Sequence, residues 1–288
     1  MGNEILRIDR VCKKYGAKYV LNNISININK GEIYGIVGEN GAGKTTLMRI
    51  ILKLVYQTSG TISSSKTMNI GGLVEAPALY NSLSAYENLK YYAQVLSIND
   101  KERKIKDILD CVGLSNVEEN KKVKDFSLGM KQRLAIALVL LDRPNVLILD
   151  EPTNGLDPTG VRDIRKLIIK LKADYDMTIL ISSHILRELD SIVDCYLIMH
   201  KGRLITKLSS DELIQNKIVI QVSNIKLAYS ILSDRVNNVE IINKNIEVKD
   251  EKITVDNIIN VLRDNNIEIE GIYKRRISFE DYYLEKKE

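Results

Sequence analysis

Cysteine is scarce in this sequence. Cys12, Cys111 and Cys195 stand far apart, are odd in number and form no CxxC pair. That argues against a disulfide framework or a zinc site and leaves inert thiols in a reducing compartment as the expectation. The opening stretch MGNEILRIDR has no apolar centre of the kind a secretory signal needs, so none is expected. Gly2 follows Met1, but Leu6 stands where N-myristoylation wants Ser or Thr. Long apolar runs are missing too. The longest, Leu134 to Leu141, falls far short of the roughly 18 residues of a membrane-spanning helix. A soluble protein is therefore expected, with any membrane role borrowed from a partner. The formal net charge of +4 is mildly basic and is not the dense basic stripe of a dedicated nucleic-acid binder. It suits an anionic membrane surface as well as it suits plain solubility. No repeat of about 20–50 residues stands out.

What remains is an ordinary globular composition over 288 residues, long enough for one large domain and a smaller one. Residues 1–75 read as strands and tight turns, with alternation over Ile5–Val11 and Leu21–Ile28 and a short apolar run at Ile33–Val37. From Lys44 to Leu54 the period becomes helical, with Leu47, Ile50, Ile51 and Leu54 expected on one face. Residues 76–142 read as mostly helical, over Ala85–Ser97, Lys101–Val112 and Leu128–Leu141. A buried strand at 145–150, a helix at Val161–Leu171, a strand at Thr178–Ser182 and a helix at Ile185–Val193 follow. Strands alternating with helices predict a parallel sheet covered on both faces, an α/β class. After about residue 210 the order strand 218–222, helix 225–234, strands 239–243 and 246–249, helix 256–265 and strand 267–273 matches the β-α-β-β-α-β ferredoxin-like unit. The expected division is 1–215 for the large domain, with its helical part at 76–142, and 216–288 for a small α+β domain.

The strongest chemical signal is Gly38-Glu39-Asn40-Gly41-Ala42-Gly43-Lys44-Thr45, followed by Thr46. It fits G-x-x-x-x-G-K-[ST] between a buried strand and a helix. Phosphates carry dense negative charge. Glycines let successive backbone N–H groups turn inward at them, and the following helix adds its positive end. Lys44 suits the β and γ phosphates, and the Thr45 hydroxyl suits Mg²⁺, which takes oxygen ligands. The blander alternative is a glycine-rich turn with no ligand.

Four further motifs follow in order: Phe126-Ser127-Leu128-Gly129-Met130-Lys131-Gln132-Arg133, then Val146-Leu147-Ile148-Leu149-Asp150-Glu151-Pro152-Thr153, then Gly155-Leu156-Asp157-Pro158, and Ile181-Ser182-Ser183-His184. In order and spacing the set resembles the ATP-binding cassette (ABC) ATPases over roughly residues 4–215. The resemblance implies a RecA-like P-loop core, ATP and Mg²⁺ as cofactors, and ATP hydrolysis. It makes Asp150 a Mg²⁺ ligand through water, Glu151 the general base, His184 the γ-phosphate sensor and Tyr15 the adenine platform. Ser127 and Gly129 would grip the γ-phosphate of ATP held by the opposite subunit. Asp157 would link the two sites, so a cassette homodimer or heterodimer is implied. Against each stands a plainer reading: a solvated strand end for Asp150-Glu151, a structural histidine, a half-buried tyrosine.

Two departures matter. Leu128 and Met130 replace the usual third and fifth residues of the Leu-Ser-Gly-Gly-Gln signature. In Ile70-Gly71-Gly72-Leu73-Val74-Glu75-Ala76-Pro77, Glu75 takes the place of a glutamine that touches Mg²⁺ and the attacking water. A glutamate still ligates Mg²⁺ or accepts from water, but adds a charge and donates no N–H. With Pro77, Tyr80, Leu83 and Tyr86-Glu87-Asn88-Leu89, this version looks like the cassettes of bacitracin-resistance and lantibiotic-immunity exporters. The resemblance thus implies an ATPase subunit that powers export of an antimicrobial peptide or other amphiphile through a separate membrane permease. It would sit in the cytoplasm, at the inner face of the membrane, without nucleic acid. The segment Glu75–Leu89 is the expected permease contact. The alternatives are a soluble cassette acting on ribosomes or DNA and a regulatory cassette that binds ATP without cleaving it. The single P-loop, the lack of room for a long coiled-coil insertion in 76–142, and the presence of Lys44, Asp150, Glu151 and His184 weigh against them.

Overall fold

The computed structural model describes residues 3–75, 79–183, 192–250 and 253–276. The chain divides into two compact units, Met1–Ser209 and Ser210–Glu288.

In the first unit, β1 (Glu4–Tyr15) and β2 (Lys18–Asn29) form a hairpin, and β1 also pairs with β4 (Ser59–Ser64), giving the antiparallel order β2-β1-β4. Alternation places Leu6, Ile8, Leu21, Ile24, Ile26 and Ile28 in the core. The second sheet carries the chemistry. It combines β3 (Ile33–Val37), β5 (Ile70–Leu73), β6 (Val146–Leu149), β7 (Thr178–Ser183), β8 (Cys195–His200) and β9 (Arg203–Ser209) in the order β5-β6-β7-β3-β8-β9. All neighbours are parallel except β8 and β9. Every residue of β3, β6 and β7 is buried, as continuous apolar runs in a parallel sheet require.

The helix α1 (Lys44–Ile51) starts at Gly43. It ends three residues before the expected Leu54, because Lys53 adopts the left-handed conformation, φ 59°. The Leu54 N–H then closes back on the Arg49 carbonyl, a helix-ending turn. Leu54 is accordingly 66% exposed and leaves the face on which periodicity put it. Between β5 and β6 lie α2 (Ala85–Val95), α3 (Lys101–Cys111) and α4 (Leu128–Leu140). Ser84 caps α2 in a capping box: its hydroxyl accepts the Glu87 N–H, and its own N–H donates to Glu87. The helix α5 (Pro158–Tyr175) is longer than expected at both ends. Asp157 as N-cap and Pro158 in the first turn start it early, and Asp176, φ 51°, stops it late.

The second unit contains β10 (Ile214–Val222), α6 (Ile225–Ser233), β11 (Val239–Ile242), β12 (Asn245–Lys249), α7 (Val255–Asp264) and β13 (Ile269–Arg276). The strands order as β11-β12-β10-β13, each antiparallel to its neighbour, which is the ferredoxin-like topology. Ile218, Ile220 and Val222 pack with Ala228, Leu232, Ile258 and Leu262 from the two helices. β10 begins four residues earlier than the apolar pattern indicated.

Candidate functional site

Three strand ends converge at one edge of the parallel sheet. Val37 is in register with Ser183, and Leu149 with Ile181. The loop after β3, the acidic pair after β6 and the end of β7 therefore lie side by side, though more than a hundred residues separate the first from the others. Open parallel sheets bind ligands at such an edge.

The loop from Gly38 to Gly43 is tight. A Cβ on Gly38 would lie 2.3 Å from the Met199 carbonyl oxygen, so only glycine fits. Gly43, φ 102°, backs onto Val20 and Leu21, and its added Cβ would meet Leu21 at 2.7 Å. Glu39, Asn40 and Gly41 are exposed at the tip, Ala42 is buried, and Thr46 is half-buried in the first turn of α1. Lys44 is only 5% exposed. Its Nζ donates to the Gly38 carbonyl at 2.7 Å and the Glu39 carbonyl at 3.2 Å, and lies 3.8 Å from Glu151 Oε1. A buried ammonium curled against a loop of backbone suits a polyanion with several oxygens.

Asp150 is the hub. Its Oδ2 accepts the Thr45 hydroxyl at 2.7 Å, its Oδ1 accepts the Ser182 hydroxyl, and its N–H donates to the Leu73 carbonyl at 2.9 Å. Ser182 in turn accepts the N–H of Glu151 at 2.8 Å. Among the described residues no group of three or more His, Cys, Asp or Glu could hold a metal ion by itself. A hydroxyl and a carboxylate 2.7 Å apart are nevertheless the oxygen donors Mg²⁺ accepts when phosphate and water complete its shell. The residues present fit that ion.

Glu151 and Glu75 both have left-handed backbones, φ 46° and 77°. Non-glycine residues held there cost of order 1–3 kcal/mol and cluster at functional sites. Glu75 is paired with Arg49 of α1, through Oε1 and Nη2. Ser182 and Arg49 had no assigned role in the sequence. Arg49 is four residues beyond Thr45, hence on the same helix face, and Ser182 is in a quoted motif; these spacings were the available signals.

Ser127, Gly129 and Asp157 form a second group. Ser127 caps α4, its hydroxyl accepting the Met130 N–H at 3.2 Å. Asp157 caps α5, accepting the Gly160 N–H at 2.9 Å. The two helix starts touch, with a Cβ on Gly129 falling 3.7 Å from Gly160 Cα. Tyr15 ends β1, 48% exposed, with Lys13 Nζ 4.9 Å above its ring. His184 and the helix expected at Ile185–Val193 lie outside the described residues, save for Ile192 and Val193. Beyond Glu75, Tyr80 packs edge-on against Tyr91 at 4.9 Å and is 43% exposed, while Tyr86 is half-buried. The hydrogen bond with Tyr91 pushes the Tyr80 phenol up.

A phosphate loop and an acidic strand end, one strand apart on a parallel sheet, define a P-loop nucleotide-binding cassette. The chain belongs to the ATP-binding proteins of ABC transporters: the ABC transporter family model matches residues 21–154. It is 43% identical over 230 residues to the lantibiotic transport ATP-binding protein SrtF of Streptococcus pyogenes, covering 75% of this chain and 99% of that protein. It is 38% identical over 303 residues to the bacitracin transport ATP-binding protein BcrA of Bacillus licheniformis, covering 97% and 96%. That alignment runs through the C-terminal unit as well. Among solved structures, cbiO1 of Clostridium perfringens, described as part of the ABC transporter complex cbiONQ, superposes with a TM-score of 0.67 at 27% identity, over 81% of this chain and 96% of the other. No helix among the described residues is long and apolar enough to cross a membrane.

Proposed function

We propose that this chain hydrolyses ATP as one half of a cassette pair and thereby powers export of an antimicrobial peptide or other amphiphile through a permease carried on separate chains. The observation that carries hydrolysis is the Asp150 hub. One carboxylate joins the phosphate-loop helix, through Thr45, to the strand beside it, through Ser182, and fixes the backbone from which Glu151 extends.

The loop N–H groups from Gly38 to Gly43, with Lys44 and Thr46, hold the phosphates, and Tyr15 meets the adenine. Thr45 and Asp150 would hold Mg²⁺, with Glu75, past the neighbouring strand end, as a further oxygen donor to it. The ion held by these residues would supply charge neutralisation at the phosphate oxygens. Glu151 accepts a proton from the attacking water, and Glu75 and His184 orient that water and the γ-phosphate. Ser127 and Gly129 supply a helix start for the γ-phosphate of the opposite cassette's ATP, and Asp157 stands where the two cassettes meet. The site is complete only in the pair, which makes closure depend on ATP. The tyrosines after Glu75 are the contact through which closure reaches the permease, at the inner face of the membrane.

The export reading rests on the lantibiotic and bacitracin transport relatives. It is tested by purifying a tagged chain from gently solubilised membranes. A polytopic membrane protein should co-purify, and cells lacking the pair should become more sensitive to a membrane-active peptide antibiotic. Recovery with ribosomes or DNA, and unchanged sensitivity, would overturn it.

A further inference from the structure

Two side chains on one face of α1 reach the ends of two different strands. Thr45 donates to Asp150 just past β6, and Arg49, one turn further along the same face, grips Glu75 just past β5. Leu73 is in register with Leu149, and Glu75 and Glu151 each lie two residues beyond that pair. Both have the left-handed backbone that turns them out of the strand direction, φ 77° and 46°. Three acidic residues, Glu75, Asp150 and Glu151, thus follow the ends of β5 and β6, at the sheet edge where the phosphate loop opens. A polyanion entering there meets repulsion unless each carboxylate is answered by a cation or a hydrogen-bond donor. Asp150 has its two hydroxyl donors, and Glu151 lies 3.8 Å from Lys44. The cation that answers Glu75 is Arg49.

We propose that Arg49 is the positioning residue for Glu75: its guanidinium fixes where the carboxylate stands beside the phosphate site and balances its charge, so that an acidic side chain serves there without repelling nucleotide. The proposal rests on reading this edge as the ATP site. A structural strut is a poor alternative, because Glu75 is 66% exposed and Arg49 33% exposed, and ion pairs so open to solvent contribute little to stability. The effect of the pair therefore falls on the nucleotide. Removing Arg49 leaves an unbalanced negative charge next to the phosphates, and removing the charge of Glu75 makes Arg49 unnecessary.

The test compares the parent chain with Arg49→Ala, Arg49→Lys, Glu75→Gln and the double change Arg49→Ala with Glu75→Gln. Binding of a fluorescent ATP analogue is titrated in EDTA, so that the comparison needs no metal and no turnover. ATPase rates are then measured with Mg²⁺, and unfolding midpoints without nucleotide check that each chain is folded. Arg49→Ala should weaken analogue binding at least fivefold in the parent but less than twofold alongside Glu75→Gln, and Arg49→Lys should stay within twofold of the parent. Equal weakening in both backgrounds, or none in either, would overturn the assignment. A parent chain that binds the analogue yet never hydrolyses ATP would strike the catalytic reading and leave the binding comparison standing.

Discussion

Ser182 joins Asp150 to Glu151: its hydroxyl donates to the Asp150 carboxylate and accepts the Glu151 N–H at 2.8 Å. The serine belongs to β7, the acidic pair follows β6, and the two strands are neighbours in register. The backbone that carries the carboxylate assigned to proton abstraction is thus fixed by a side chain from the adjacent strand. Ser182→Ala removes a fully buried hydroxyl and leaves two partners short, which costs about 1–3 kcal/mol. The expected result is an unfolding midpoint lowered by a few degrees and an ATPase rate reduced about tenfold. Thermal melts and steady-state assays on the same preparation check both.

Glu151→Gln keeps the size of the side chain and removes its ability to take a proton. ATP binding should be unchanged, and turnover should fall by about 10²–10⁴-fold, the usual contribution of a general base. Persistence of the parent rate would reassign the base.

Gly38→Ala puts a methyl group 2.3 Å from the Met199 carbonyl oxygen, which belongs to a strand and has no room to retreat. The loop has to shift instead. Nucleotide affinity should drop at least tenfold while the far-ultraviolet circular dichroism of the chain stays the same. Retained affinity would mean that β8 moves more easily than its burial implies.

The Ser84 N–H and Lys122 hold the Glu87 carboxyl below its ordinary 4.5. A carboxyl depressed by folding adds stability that is present above its unfolded value and is lost as pH falls through the folded one. Melts from pH 7 downward should show a loss below about 4.5 that is smaller in Glu87→Gln, with the exposed pair contributing only modestly. Identical pH profiles would remove Glu87 as a contributor.

Most of the framework was legible because it depends on local patterns. The buried runs at Ile33–Val37 and Val146–Leu149 and the starts of α2 and α4 follow from period and capping residues. Asp157-Pro158 carried the true start of α5, but the helix was expected only from Val161, where apolar periodicity sets in. Leu54 was misplaced for a related reason: periodicity does not register that Lys53 turns left-handed. Helix spacing and motif membership pointed to Arg49 and Ser182 but not to their partners, which are set by strand order, with β6 between β5 and β7. No spacing along the chain encodes that order.

The helical portion of the first unit leaves the sheet after β5 and returns at β6, and these two strands are hydrogen-bonded neighbours in register from Ile70–Val146 to Leu73–Leu149. Because the two strands are parallel, the exit past Leu73 and the entry at Val146 lie at opposite ends of the pair, about 11 Å apart from three residues of rise and one strand spacing. A body held at two such points turns about the line that joins them, as a door turns on two hinges set at the top and bottom of its frame. Glu75 lies two residues past the first of those points, where any such turn has to begin.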